Sequence, residues 1–346
     1  MAHRVARQAR RDLTQHARSL AEDGDVSQSE DEEPRAKRRT REERWLVDVP
    51  RDLNGSGSEL GEGWYVLPRP EGKRCLVVAS GGVTVARIPS GAVLKRFPSA
   101  LPCGSHKTNR ASDAFCLLDC IFQEQNNTFY VLDVMCWKGY LLYNCTTEFR
   151  WYWLRDKLAE GATATIAPAN PLRFLPIPHF ESDQAGIQAA YATTFPFIKD
   201  GLLFYMKAAH YELDLSPLAL VWKDHNTSRY FVYTEKPTIV LRLDASNEFT
   251  TLEGIALFQA DEAFLQQHEL SEDDLATFTF DAFEPNSDSQ PQLHGLAFVK
   301  RCSPQRALAD SWTKILFQYN ARSGGVRFEQ ILEAAHVPTV DASMEH

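Results

Sequence analysis

Three cations surround a short turn that contains glycine. Arg69, Lys73 and Arg74 lie in the run Arg-Pro-Glu-Gly-Lys-Arg, between the apolar segments 64–67 and 76–79. Guanidinium and ammonium groups donate charge-assisted hydrogen bonds to phosphate oxygens, so a nucleotide's phosphates could bind at this turn. Arginine keeps its proton at neutral pH, and Arg69 therefore cannot act as an amine nucleophile. The turn predicts a site that holds a nucleotide without reacting with it.

Charge and cysteine usage narrow the classes of function. The formal charge of −9 argues against a protein that coats long nucleic acid, DNA included, but permits a short charged ligand in one cationic pocket. No run approaches the roughly 18 apolar residues of a membrane span. The seven cysteines form no C-x-x-C pair, which favours reduced thiols in the cytosol or nucleus. Histidines without ligand spacing predict no metal site and no cofactor.

Patterning along the chain predicts an α+β protein of mostly antiparallel sheets with a helical N-terminal tail. Residues 3–22 have helical spacing, and Lys37-Arg38-Arg39 could be a nuclear-localisation patch. A turn at Asn126-Asn127 is expected between two strands. The predicted strands are 75–79, 83–88, 114–122, 129–135, 140–143, 149–154, 201–206, 230–233, 238–243, 255–258, 277–280, 296–299 and 314–319, and the predicted helices are 181–193, 261–268 and 328–335.

Several long segments resemble the snurportin family. They are 15–23, 45–50, 72–80, 118–121, 130–139, 195–197 and 200–205, in the same order and spacing. Snurportins bind the 2,2,7-trimethylguanosine cap of spliceosomal small nuclear RNAs. They link the ribonucleoprotein to importin-β for nuclear import and return with an exportin. The resemblance implies these partners, no catalysis, and shuttling between cytoplasm and nucleus.

The same region resembles the nucleotidyltransferase half of mRNA capping enzymes, to which snurportins are related. Asp133 matches the start of a D-G-E motif, 200–204 resembles D-G-L-I-F, and 220–223 resembles L-K-W-K. Arg69 stands where those enzymes carry their lysine nucleophile, and Met135 stands where the metal-binding glutamate falls. The resemblance therefore implies a capping-enzyme-like fold without its chemistry.

The resemblance also implies which residues bind the cap. Aromatic rings attract a trimethylated guanine because it is a delocalised cation, and cations neutralise its triphosphate bridge. The expected cap-binding residues are Trp45, Gly72, Lys73, Arg74 and Trp222, with Trp222 as the stacking platform, and Arg87 and Lys223 are possible phosphate contacts. Glu43 replaces a polar serine of the family near this site.

The expected organisation has five parts: a partial importin-β-binding helix (1–23), a charged disordered linker (24–44), a cap-binding domain (45–225), a β-rich region of open role (226–337) and a disordered tail (338–346). Two alternatives stay open at this point. One is a divergent RNA guanylyltransferase that uses another lysine, of which Lys73 is nearest. The other is an adaptor that has lost cap binding.

Overall fold

Two compact units make up the chain in a computed structural model. Residues 14–21, 41–55, 63–108, 114–231, 236–284, 292–303, 308–321 and 325–336 are described. The first unit comprises Met1–Glu43, Arg51–Ser228 and Leu332–His346, and the second comprises Arg44–Pro50 and Arg229–Ile331. The expected tail at 338–346 lies outside the described residues, as does most of the expected linker. The last residues of that linker are ordered as a strand, which corrects the expectation for 41–44.

The first unit contains two antiparallel sheets, here called sheet A and sheet B. Sheet A has the order β1-β12-β11-β2-β10. Its strands are β1 (Arg41–Trp45), β2 (Trp64–Pro70), β10 (Phe180–Glu181), β11 (Lys199–Met206) and β12 (Asp214–Trp222). Sheet B has the order β5-β4-β3-β6-β7-β8, and β9 runs parallel to β7. Its strands are β3 (Lys73–Ser80), β4 (Val83–Arg87), β5 (Val93–Phe97), β6 (Cys116–Gln123), β7 (Thr128–Trp137), β8 (Tyr140–Leu141) and β9 (Arg173–Pro176).

The central strands of sheet B are apolar on both faces, and they separate two cores. Successive side chains of a strand point to opposite faces. In β3, Cys75 and Val77 pack with Phe129 and Phe174 in one core, whereas Leu76 contributes to the other. All seven cysteines are free thiols, five of them buried. The predicted turn at Asn126-Asn127 is confirmed, and Asn127 adopts a left-handed conformation (φ 52°) there.

One predicted strand of this unit is wrong. Residues 149–154 belong to helix α2 (Thr147–Ala159), which packs on sheet B. The Thr146 hydroxyl accepts a hydrogen bond from the Phe149 amide at 3.3 Å and so caps the helix N-terminus. The predicted helix at 181–193 is confirmed as α3 (Gln184–Ala192), capped by Asp183.

A short helix, α1, is described for residues 14–21 of the N-terminal region. Its apolar side chains, Ala17, Leu20 and Ala21, are buried in the core that contains Leu76 and Met135. Gln15, Arg18 and Ser19 are exposed. This part of the predicted helix therefore packs on the first unit through its apolar face, and the rest of the 3–22 prediction lies outside the described residues.

The second unit is built on another antiparallel sheet. Its order is β15-β14-β13-β16-β19, and β17 and β18 form a separate pair. The bounds are β13 (Thr238–Leu243), β14 (Glu248–Thr250), β15 (Ala256–Gln259), β16 (Leu275–Thr279), β17 (Ala282–Glu284), β18 (Gln292–His294), β19 (Ala297–Arg301), α4 (Glu262–Gln267) and α5 (Trp312–Asn320). The strand predicted at 314–319 is wrong, because Ser311 caps a helix there. Helix α6 (Phe328–Ala334) confirms the helix predicted at 328–335. The strand predicted at 230–233 lies partly outside the described residues.

These elements confirm the predicted α+β class with mostly antiparallel sheets. Among the described residues, no helix is long and apolar enough to cross a membrane.

Candidate functional site

The hairpin between β2 and β3 brings backbone close to backbone at Gly72. A Cβ atom at this position would lie 2.4 Å from the Phe122 carbonyl oxygen and 2.8 Å from a methyl carbon of Ile121. Only glycine fits such a contact without displacing β6. The position of the hairpin against β6 is therefore set by packing, whether or not a ligand is bound.

Lys73 and Arg74 follow Gly72 directly, but they lie on opposite faces of sheet B. Lys73 pairs with Phe122 and lies on the same face as Cys75, and its side chain is 61% exposed. Arg74 pairs with Ile121 on the other face, and its side chain is only 10% exposed. The two adjacent cations that the sequence predicts as joint phosphate ligands are therefore separated by the sheet.

The guanidinium of Arg74 donates hydrogen bonds to two carboxylates. Its Nε and one terminal nitrogen each donate to Asp119 at 2.6 Å, and its other terminal nitrogen donates to Glu43 Oε1 at 2.5 Å. Tyr205 donates to Glu43 at 2.7 Å, and Tyr211 donates to Asp119 at 2.9 Å. Arg74 thus joins sheet B to β1 and β11 of sheet A.

A second guanidinium–carboxylate cluster continues this network. Asp133 receives two hydrogen bonds from Arg150 and one from Arg41, all at 2.8 Å. The guanidinium of Arg41 also lies over the rings of Tyr205 (4.3 Å) and Tyr211 (4.7 Å). Burial raises the pKa of Asp133, but Arg150 and Arg41 outweigh it, and the net pKa is lowered. We call the residues of the two clusters the intersheet network: Arg41, Glu43, Arg74, Asp119, Asp133, Arg150, Tyr205 and Tyr211.

The pKa values of two neighbouring glutamates, Glu42 and Glu43, are shifted in opposite directions next to this network. Burial is the main cause that raises the pKa of Glu42 to about 7. The positive charges of Arg74 and Arg69 lower this pKa, whereas the nearby carboxylates of Glu43 and Asp119 raise it further. Burial also opposes ionisation of Glu43. However, the charge of Arg74 and the Tyr205 hydrogen bond lower the pKa of Glu43 to about 2. Glu43 is therefore the ionised partner of Arg74, and Glu42 titrates near neutral pH.

Arg69, Asp200 and Lys223 form a separate cluster at the ends of β2, β11 and β12. Asp200 accepts from Arg69 at 2.5 Å, from Lys223 at 2.7 Å and from the Ser228 hydroxyl at 2.5 Å. A Cβ atom on Gly201 would lie 2.6 Å from the Trp222 carbonyl oxygen and 2.7 Å from Cγ of Lys223. The glycine allows β12 to approach, which places the ammonium of Lys223 on Asp200. Two cations thus share one carboxylate.

Trp222 lies on the other face of sheet A from this cluster. It pairs with Leu202, whereas Val221 pairs with Leu203 and shares the face of Tyr205. The indole of Trp222 is 6.3 Å from the ring of Tyr191 on α3 and is 1% exposed. In this conformation Trp222 has no open ring face onto which a base could stack, so a stacking role would require this part of sheet A to rearrange.

Two further predicted residues make other contacts. Trp45 belongs to the second unit, where its indole is 4.8 Å from the ring of Phe317 and its amide donates to the Thr313 hydroxyl at 3.2 Å. Arg87 donates to the carbonyl of Gly91 at 3.1 Å, within the turn between β4 and β5. Both roles remain predictions. No group of three or more potential metal ligands occurs in the described ranges.

Sequence reasoning missed Asp119, Arg41 and Arg150, which complete the intersheet network. A signal was present for Asp119, because an acid within the apolar run Leu-Leu-Asp-Cys-Ile must be paired when the strand is buried. The signal for Arg150 was weaker: this residue lies among the aromatic residues of 149–153. Arg41 lay in the predicted linker and gave none.

The architecture and the paired cations define an α+β protein whose first unit joins two antiparallel sheets through a buried ionic network. Residues 41–223 match the family described as Snurportin1, m3G cap-binding domain. This segment is more than half of the chain, and the chain belongs to that family.

Solved structures with a partly similar backbone are DNA ligases. The ligase domain from M. tuberculosis LigD is 13% identical, with a TM-score of 0.37 over 78% of this chain and 96% of that chain. The Chlorella virus DNA ligase-adenylate is 9% identical, with a TM-score of 0.34 over 77% and 100% of the two chains. Similarity at this level says nothing about what this chain does.

Proposed function

We propose that the first unit binds the 2,2,7-trimethylguanosine cap of spliceosomal small nuclear RNAs without catalysis, and that the protein is a nuclear import adaptor for their ribonucleoproteins. The observation that carries the proposal is the family match over 41–223. Lys73 beside the Gly72 hairpin, with its exposed ammonium, supports it, because a cap is a short ligand with a triphosphate bridge.

The Arg69 cluster supports a binding role over a catalytic one. A guanidinium stays protonated and cannot attack an α-phosphate. Arg69 is also held by Asp200 at 2.5 Å, and the same carboxylate holds Lys223. The one lysine of this cluster therefore has its ammonium in an ion pair, whereas nucleophilic attack requires a free amine.

A fluorescence titration tests cap binding. The protein contains seven tryptophans, so a stacked base would quench or shift the emission of the intact chain. We expect a saturable change with a trimethylated cap dinucleotide and a weaker one with the monomethyl cap, because the added methyl groups favour apolar pocket walls. Equal responses to unmethylated GpppG and to the trimethylated cap would contradict cap recognition. No response at all would favour an adaptor that has lost cap binding.

Incubation with labelled GTP and Mg²⁺ tests the absence of catalysis. A guanylyltransferase would release pyrophosphate from GTP and form a phosphoramidate lysyl-GMP bond to one of its lysines, which is labile in acid but survives alkaline denaturing electrophoresis. We expect no labelled protein after denaturing electrophoresis. A covalent adduct that disappears in Lys73→Ala or Lys223→Ala would establish the enzyme instead.

The adaptor role includes importin-β, an exportin and shuttling between cytoplasm and nucleus. Within the described part of the N-terminal region, α1 packs its apolar face on the first unit and exposes Arg18. Importin-β would therefore contact the polar face of α1 together with residues that precede it. Pull-down with purified importin-β, compared with a chain lacking residues 1–23, tests this partner, and equal recovery of both chains would contradict it.

A further inference from the structure

Lys73 and Lys95 meet at the carboxylate of Glu124. The ammonium of Lys73 lies 3.9 Å from one oxygen of Glu124, and that of Lys95 lies 3.9 Å from the other. The side chains of Lys73, Lys95 and Glu124 are 61%, 41% and 63% exposed. At this separation the groups attract one another but are beyond hydrogen-bond distance, so water still solvates the two ammonium groups.

The strands of sheet B hold the two lysines on one face. Lys73 pairs with Phe122 of β6, and the ammonium of Lys95 lies 5.8 Å from the centroid of the Phe122 ring. The stem of a lysine can cover apolar surface while its charged end stays in water. Phe122 therefore directs Lys95 of β5 toward Lys73 at the start of β3, next to the Gly72 hairpin. We call Lys73, Lys95 and Glu124 the lysine patch.

The other cations predicted to bind phosphate are already paired within the protein, which makes the lysine patch distinct. Arg74 is held by Asp119 and Glu43, Arg69 and Lys223 are held by Asp200, and Arg87 bonds to its own turn. Each of these cations donates direct hydrogen bonds to groups of the protein. Among the described residues, the ion pairs of Lys73 and Lys95 are, in contrast, long and exposed contacts to the carboxylate of Glu124, which an anion can replace at small cost.

We propose that the lysine patch binds the phosphates of the RNA chain that follows the cap, with Lys73 nearest the triphosphate bridge and Lys95 farther along the chain. The proposal rests on the proposed function and extends it from the cap to the adjoining nucleotides. Phosphates on a flexible chain can contact both ammonium groups at once, whereas Glu124 competes with them. RNA is favoured over an acidic protein because the patch adjoins the hairpin where the cap is expected.

The expected effects are small, specific and dependent on salt. Each phosphate contact on a single strand changes the slope of log K against log salt by about 0.7. Lys95→Ala should reduce that slope by about 0.7 for a capped RNA of about ten nucleotides, and should weaken binding about two- to five-fold at low salt. It should leave the affinity for the cap dinucleotide unchanged, whereas Lys73→Ala should weaken both. Glu124→Gln should strengthen binding of the longer RNA.

The experiment compares a trimethyl-capped RNA, the same RNA without a cap, the cap dinucleotide and a polyglutamate peptide over a series of salt concentrations. Lys157→Ala is the matched control, because Lys157 also lies over an aromatic ring, Trp153 at 5.1 Å, and pairs with a glutamate, Glu160. The control should change neither slope nor affinity.

The outcomes separate the two proposals. If the dinucleotide binds but Lys95→Ala leaves the salt slope for the longer RNA unchanged, the inference fails and cap binding stands. If the dinucleotide does not bind while uncapped RNA still shows the Lys95-dependent slope, the cap proposal fails and the patch stands. If polyglutamate competes as well as the uncapped RNA does, the patch is a site for acidic protein and the inference is wrong.

Discussion

Arg74 and Asp119 form a bidentate ion pair between adjacent strands of sheet B, with both nitrogen–oxygen distances at 2.6 Å. Asp119 is fully buried, and Glu43 and Tyr211 complete the hydrogen bonding of the pair. A buried pair of this kind needs both partners, because either charge alone would be left without solvation. The structure therefore gives Arg74 a structural role, and its predicted role in cap binding stays a prediction.

The first prediction is that Arg74→Met destabilises the first unit strongly. Removing the guanidinium leaves Asp119 and Glu43 buried without their main partner, which costs about 3–5 kcal/mol in such pairs. Lys73→Met is the matched control, since the exposed neighbour should change the free energy of unfolding by less than about 0.5 kcal/mol. Urea denaturation followed by circular dichroism measures both.

A double variant sharpens this test. Arg74→Met combined with Asp119→Leu removes both charges, so its loss of stability should be smaller than the sum of the single losses. Additive losses in the double variant would show that the two side chains do not interact.

The second prediction concerns pH. The pKa of Glu42 is about 7 in the folded chain, above its ordinary value of 4.5, so the folded state binds more protons between these values. Stability from this group is fully present below about pH 4.5 and is lost as pH rises through 7. Glu42→Gln should remove this loss and be more stable than the natural chain at pH 8, by up to about 3 kcal/mol.

Glu43 should show the opposite behaviour. Its pKa of about 2 is lower than in the unfolded chain, so its contribution to stability is lost as pH falls from about 4.5 to 2. Thermal unfolding of the natural chain, Glu42→Gln and Glu43→Gln from pH 2 to pH 8 separates the two contributions. A Glu42→Gln profile parallel to that of the natural chain from pH 5 to 8 would contradict the assignment.

The antiparallel class and the central strands of sheet B could be predicted because their apolar runs are bounded by glycine and asparagine turns. The two errors share a cause. Residues 149–154 and 314–319 are rich in aromatic side chains, which favour strands, but each follows a helix-capping residue, Thr146 or Ser311. Their capping signals outweigh intrinsic strand preference once the apolar residues can pack on a sheet.

The candidate site could be predicted only in part, because adjacent residues in a strand point to opposite faces. The sequence showed Lys73-Arg74 as one cationic pair, whereas pairing with Phe122 and Ile121 separates them. It also showed Trp222 beside Lys223, and the same alternation directs the indole to the α3 side and the ammonium to Asp200. Deducing these faces requires the strand register, which depends on partners about 20 to 50 residues away along the chain.

The third prediction uses two glycines with positive φ. Gly201 (φ 108°) has no room for a Cβ atom beside the Trp222 carbonyl and Lys223, whereas Gly139 (φ 83°) has no atom within 4 Å of that position. Gly139→Ala should cost only its backbone strain, about 1 kcal/mol. Gly201→Ala should cost more, and it should also displace Lys223 from Asp200. Equal melting temperatures for the two variants would show that the close approach of β12 is unimportant.

The last prediction concerns Trp222, whose indole is 1% exposed beneath α3. Trp222→Ala should destabilise the first unit by about 3–5 kcal/mol, because it removes a large buried ring. Loss of cap binding in this variant alone would therefore not identify a stacking residue.

Trp222→Phe keeps an aromatic core residue and should stay folded, as near-ultraviolet circular dichroism would show. If Trp222 stacks on the cap, it must become accessible, and the cap should change acrylamide quenching in the natural chain but not in Trp222→Phe. Unchanged cap affinity in folded Trp222→Phe, with identical quenching in both proteins, would establish Trp222 as a core residue and place the stacking surface elsewhere.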